Sequence, residues 1–102
     1  MIRFHINFLD CTWTRWTNRD NPGKTGDHES VSEYRNRDGI NICNGKDRIS
    51  IEARVSQTKA DYSTTGESVL INPIDGFICL NANQPDNRCE DYEVRFFCCP
   101  LS

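Results

Sequence analysis

The chain has 102 residues, 36% of them hydrophobic and 26% charged, with a formal net charge of −3. That length predicts one domain over residues 1–102 with a modest core, which needs cross-links or a bound ion to hold it. A sequence pI near 5.3, the lack of any Lys/Arg run and the lack of an apolar stretch near roughly 18 residues argue against a nucleic-acid footprint and a membrane helix.

The cysteines are Cys11, Cys43, Cys79, Cys89, Cys98 and Cys99. An even number in a short chain reads as a disulfide framework formed in an oxidising compartment. Zinc is the rival reading, but zinc sites favour C-x2-4-C knuckles and none is present; the adjacent Cys98 and Cys99 suit a tetrahedral centre poorly. Residues 1–10 lack the charged, apolar and small-residue order of a signal peptide, so Met1 is read as an expression start on a mature or excised domain. No Asn-x-Ser/Thr sequon occurs.

In chain order, Ile2 to Phe8 alternates apolar and polar at period two and predicts a half-buried strand, with His5 on its polar face. Cys11 to Trp16 continues extended, and Thr17 to Gly26 is a polar loop rich in turn residues. Ser30-Val-Ser-Glu33 has capping-box spacing and Gly39 sits where a helix stops. A short helix is expected over 30–37, burying Val31 and Tyr34, with Asp27 as an alternative N-cap one turn earlier. Arg48 to Ser56 is a strand with Ile49, Ile51, Ala53 and Val55 on one face. Residues 57–67 form a loop; Ser68 to Ile71 and Gly76 to Leu80 form two short strands around the Asn72-Pro-Ile-Asp-Gly76 turn. After a loop at 81–87, Asp91 to Cys99 is the last strand, with Tyr92, Val94, Phe96 and Cys98 on one face. The fold class is mainly β (α+β): a small disulfide-rich β-sheet domain with one short helix.

Neighbouring side chains in a strand point to opposite faces, so Cys98 and Cys99 reach different partners. Cys79 and Cys89 flank one loop. Fifteen pairings are possible; the one expected is Cys79–Cys89, with Cys11 and Cys43 taking the two C-terminal cysteines.

Trp13-Thr-Arg-Trp16 is the most specific local feature. Trp-x-x-Trp in a secreted chain is the acceptor pattern for C-mannosylation of its first Trp, here Trp13. The plainer reading packs both indoles in the core or against an arginine such as Arg15. A third reading makes Trp13, Trp16 and surface tyrosines a glycan platform.

The ordered set Cys11-x-Trp13-x-x-Trp16, Gly26-Asp27-x-Glu29, Ile42-Cys43, Gly76-Phe-Ile-Cys79 and Cys89-x-Asp91-Tyr-Glu-Val-Arg95-x-x-Cys98-Cys99 closely resembles the CysD, or WxxW, domain of gel-forming mucins and related extracellular proteins. The resemblance covers nearly the whole chain. It implies a secreted, non-catalytic module, stabilised by calcium, that helps organise mucus or matrix through weak association with other mucin or matrix domains or with itself. Two cysteines common in the family are absent, one in the Ile51–Arg54 stretch and one near Ile71. Ala53 and Ile71 are expected to fill that space as apolar contacts. The extra cysteines of mucin copies are also missing, which argues against a covalent link through this domain.

Asn18, Asp20, Asn21, Asp27 and Glu29 crowd within twelve residues. On the residues alone this is a solvated turn leading to an N-cap. The resemblance turns the reading to calcium, a cation that takes six to eight oxygens, with Asp20, Asp27, Glu29 and Asn18 as ligands. Asp91 or Glu93 is a further candidate, and Glu93 with Arg95 equally suits an ion pair. Gln57, Lys59 and Gln84, read as exposed, are candidates for enzymatic cross-linking. Enzyme readings fare badly: His5 and His28, the only imidazoles, sit in no motif with a nucleophile, and no phosphate loop, Rossmann pattern or hydrolase elbow is present. An isolated secreted effector or defence protein would share the same fold.

Overall fold

The computed structural model describes residues 10–23 and 25–100; the strand expected over 2–8, with His5, lies outside them. The described chain forms two three-stranded antiparallel sheets and one short helix. Its elements are β1 (Thr12–Trp13), β2 (Gly26–Ser30), α1 (Val31–Asn36), β3 (Asp47–Val55), β4 (Val69–Asn72), β5 (Gly76–Leu80) and β6 (Tyr92–Cys99). The first sheet runs β1-β6-β3 and the second β2-β5-β4. The mainly β, disulfide-rich class read from the sequence holds.

In the first sheet, Ala53 lies opposite Val94 and Val55 opposite Tyr92, so the apolar faces of β3 and β6 coincide. A register shift between Arg48 and Ser50 interrupts the alternation at the start of β3. Beyond it, Ala53, Tyr92, Val94 and Phe96 are wholly buried. The second sheet supplies Phe77, whose ring centroid lies 4.6 Å from that of Tyr92 and joins the two sheets. Burying side chains of this size contributes about 2–3 kcal/mol each. Ala53 is fully buried and Ile71, partly buried, packs against the same cluster, the apolar contacts expected of both.

The helix is where the capping box puts it. Ser30 Oγ accepts from the Glu33 N–H at 3.2 Å and donates to Glu33 Oε1 at 2.8 Å, and Val31 and Tyr34 are buried. Asp27 is not the N-cap. It lies in β2, a strand the sequence reading took for the end of a loop and the approach to the helix. The cause is an inverted pattern: the inward residues of β2 are the acids Asp27 and Glu29, so no apolar alternation marks the strand.

Three disulfides add covalent cross-links to these sheets. Cys11 joins Cys99, Cys43 joins Cys98, and Cys79 joins Cys89 across the loop between them. Cys98 and Cys99 thus serve opposite sides of β6.

Two glycines bracket the β2–β5 ladder. A Cβ at Gly26 would stand 1.9 Å from the Cys79 carbonyl oxygen, and one at Gly76 would stand 2.6 Å from that of Glu29; both have positive φ. Gly39 also has positive φ but faces open space. Gly26→Ala is expected to lower the free energy of unfolding in urea by roughly 3 kcal/mol or more, whereas Gly39→Ala lowers it by about 1–2 kcal/mol. Equal losses at the two positions would refute the close approach of β2 to β5.

Candidate functional site

Asp27 and Glu29, two apart on β2, point together into the space between the sheets, and neither exposes any surface to solvent. Asp27 Oδ2 accepts the Tyr92 N–H of β6 at 2.5 Å, so this carboxylate bridges the two sheets. Its other oxygen, Oδ1, is buried with no hydrogen-bond partner. Glu29 Oε2 accepts the Arg19 N–H at 2.8 Å and the Tyr34 O–H at 2.9 Å, while Oε1 accepts the Asp20 N–H at 3.2 Å. Thr17 and Tyr34 share a further hydroxyl contact at 2.7 Å. Glu29 therefore anchors the 17–20 segment, which folds over β2.

Two more acids close the site. Asp20 Oδ2 accepts the His28 N–H at 3.0 Å, and Asp91 accepts from Asn18 Nδ2 at 3.1 and 3.2 Å. Burial pushes the Asp27 carboxyl up to about 7, against the hydrogen bond from Tyr92 and with help from the negative charges of Asp91 and Asp20. Burial likewise pushes Glu29 up to about 8, opposed by the Arg19 N–H and reinforced by Asp27. The nearest guanidinium does not neutralise them: Arg19 directs Nε to Asp38 at 2.9 Å and Nη1 to the His28 carbonyl at 2.7 Å.

A buried carboxylate pair without a counter-charge is expensive, and an orphaned inward oxygen calls for a ligand. All the donors here are hard oxygens, which suit a cation of the calcium type. Asp27 offers an open oxygen, Asp20, Asp91 and the Asn18 carbonyl lie around the same segment, and Glu29 has lone pairs beyond those already bonded. The four sequence candidates thus share one region, although Asp27 and Glu29 reach it from a strand and not a loop. Glu93 does not join them. It lies on the opposite side of β6, where Arg54 Nε donates to it at 2.6 Å and Lys59 Nζ at 3.2 Å. Nor does it pair with Arg95, which takes Glu52 at 2.8 Å. Among the described residues, Glu67, Cys79 and Cys89 form the one group of three such donors whose atoms all lie within 4.8 Å of one another, and there the sulfurs are joined to each other; no three of Asp20, Asp27, Glu29 and Asp91 come that close.

The two tryptophans occupy the outer face of the first sheet and are not buried as a pair; Trp13 is 37% exposed. Arg54 Cζ sits 3.8 Å from the Trp16 ring centre. Arg95 Cζ sits 4.8 Å from that ring and 4.4 Å from the Trp13 ring. Trp13 in turn packs on Phe97, the residue opposite it in the β1–β6 pair, at 4.9 Å. The result is a ladder of alternating guanidinium and indole, each step a cation–π contact. Arg15 is exposed and takes no part. Arg54 and Arg95 were legible from period two, since both fall on the polar faces of their strands.

Two further residues depart from their sequence reading. Gln84 is buried, its amide holding Ser68 N–H at 2.8 Å and Ser68 carbonyl at 2.7 Å, which makes it a poor cross-linking donor. His28 contacts Thr25 Oγ1 at 2.9 Å and stands 3.5 Å from Glu33 Oε1, an order that resembles a nucleophile, base and acid. The second distance is too long for the orienting hydrogen bond of such a triad, and Glu33 is engaged by Ser30.

Residues 13–98 match the family model described as the Mucin-2 protein WxxW repeating region. Human cartilage intermediate layer protein 2 is 43% identical over 88 residues, 84% of this chain and 7% of that protein. Human mucin-5B is 33% identical over 93 residues and human mucin-5AC 30% over 92, each covering 87% of this chain and 2% of the relative. The chain thus spans only a small fraction of the relatives it matches. A tryptophan pair on an arginine ladder, the three disulfides and a match from Trp13 to Cys98 lead to one conclusion: the chain belongs to the mucin WxxW, or CysD, family.

Proposed function

We propose that the chain is a non-catalytic extracellular module, stabilised by calcium, that takes part in mucus or matrix organisation through weak association with other such domains or with itself. The observation that carries the calcium reading is the buried Asp27–Glu29 pair, with its unpartnered Asp27 Oδ1 and, among the described residues, no cationic side chain paired with it. When bound there, calcium supplies the missing positive charge. Asp27, Asp20, Glu29 and Asn18 hold it, with Asp91 adding a further carboxylate. The chain's own part is to place those oxygens: β2 and the Tyr92 N–H fix Asp27, and Glu29 pins the loop that carries Asn18 and Asp20. The extracellular assignment draws on the disulfides and on relatives that are mucins and cartilage intermediate layer proteins. Among the described residues no helix is long and apolar enough to cross a membrane.

The Trp13 side chain is the proposed site of C-mannosylation, and its partial exposure supports access to the indole edge. The glycan-platform alternative is weaker, because Arg95 lies over Trp13 and Phe97 packs on it, while Arg54 and Arg95 both lie over Trp16. A stacked sugar would compete with those contacts.

Calcium at a hundredfold excess over its dissociation constant is expected to add about 2.7 kcal/mol of stability. The readout is a rise in melting temperature that chelation reverses and that Asp27→Asn abolishes. An unchanged melt in calcium and in chelator would remove the metal from this reading. The pH dependence follows from the raised carboxyls. In chelator, the folded state holds protons on Asp27 and Glu29 that the unfolded chain releases near 4, so that contribution is complete at acid pH and is lost as pH rises through about 7 and 8. Calcium binds the ionised pair, so its stabilising shift should be large at pH 8 and nearly absent at pH 5. A calcium shift of equal size at both values contradicts binding at these two carboxylates.

A further inference from the structure

On the outer face of the second sheet, Leu70 lies opposite Ile78, and Leu80 follows on the same side. Leu70 is 47% exposed, and Ile74, at the tip of the β4–β5 turn, is 73% exposed, the most of any large apolar side chain among the described residues. Beside the tip is a groove of about 510 Å³ whose lining includes Leu70, Ile78 and Val31, the guanidiniums of Arg35 and Arg48, and Ile74 and Asp75 of the tip itself. Neither guanidinium forms an ion pair among the described residues, Arg48 instead donating from Nε to the Pro73 carbonyl at 2.8 Å, although Arg19, Arg37, Arg54, Arg95 and Lys59 all do. The Asp75 carboxylate, next to Ile74 on the same rim, accepts from Asn72 Nδ2 at 3.1 Å and forms no ion pair among the described residues.

The molecule therefore carries both halves of a contact in one patch: an apolar tip followed by an acid, and an apolar groove flanked by two guanidiniums that form no ion pair among the described residues. A tip cannot fill the groove it borders on its own chain, but two copies related by a two-fold axis can exchange tips. Residue i of one copy then meets j of the other and the reverse. We infer that this face is the surface through which two copies associate, with Ile74 of each seated on Leu70 and Ile78 of the other and Asp75 paired with Arg35 or Arg48. This rests on the weak-association reading above and gives it a location. An interface of this size and polarity is of the small, transient class, and its ion pairs make it sensitive to salt.

Sedimentation equilibrium of the intact, oxidised chain, from micromolar to millimolar concentration, tests it. A reversible monomer–dimer equilibrium is expected, weakened about tenfold or more by I74S, D75R or R35E, each at a position where the fold makes little demand. An equimolar mixture of D75R and R35E should recover dimer that neither forms alone, a result general destabilisation cannot produce. A dimer whose constant none of the three changes would move overturns this surface while leaving self-association standing. A wild-type chain that stays monomeric throughout would end association between copies altogether, and this surface with it.

Discussion

Two acid side chains where a hydrophobic contact would be expected set the terms of this fold. Asp27 and Glu29 fill the seam between the sheets, and the backbone N–H groups of Tyr92, Arg19 and Asp20 converge on them. Those bonds, with the Thr17–Val94 bridge and the His28 N–H to Asp20, draw together three segments: β6, the loop after the tryptophans, and β2. Polar networks of this kind are favourable only when every member is satisfied. One oxygen here is not, which makes the seam the point where a ligand has most to offer and where the folded state is least self-sufficient.

The remaining architecture compensates for that. The described apolar core is small, with Tyr34, Phe77, Tyr92 and Phe96 its bulkiest members. Three disulfides supplement it. Two of them close loops of 88 and 55 residues, the lengths at which restricting the unfolded chain has the most effect. Ala53, fully buried, and Ile71, packed against the same cluster, add to that core.

How much of this could be read from the residues follows from what marks each element. β3 and β6 announce themselves by apolar alternation, β4 and β5 by the turn between them, and α1 by Ser30 and Glu33. That Cys98 and Cys99 take different partners was legible once both were placed in a strand; which takes Cys11 and which Cys43 was not. β2 was not, since its inward residues are charged and alternation in hydropathy is blind to a strand that turns acids toward the core. For the same reason Asp27 looked like a cap and Asn18 to Glu29 like one loop. The oxygen donors could be named, but not the elements that present them. The ladder was half legible: the tryptophans by motif, their arginines only through strand register. No sequence pattern distinguishes Gln84, whose burial depends on how the 81–87 turn folds back on Ser68.

The Cys11–Cys99 bridge brings residues 11 and 99 to within 4.3 Å at the Cα atoms. Tension applied at residues 10 and 100 would pass directly through that one covalent link, and the 87 residues between would carry almost none of the load. Such a module neither lengthens nor unravels when its neighbours are stretched. It behaves as an inextensible bead on a string, its outward surfaces keeping their shape while the strand around it is drawn taut.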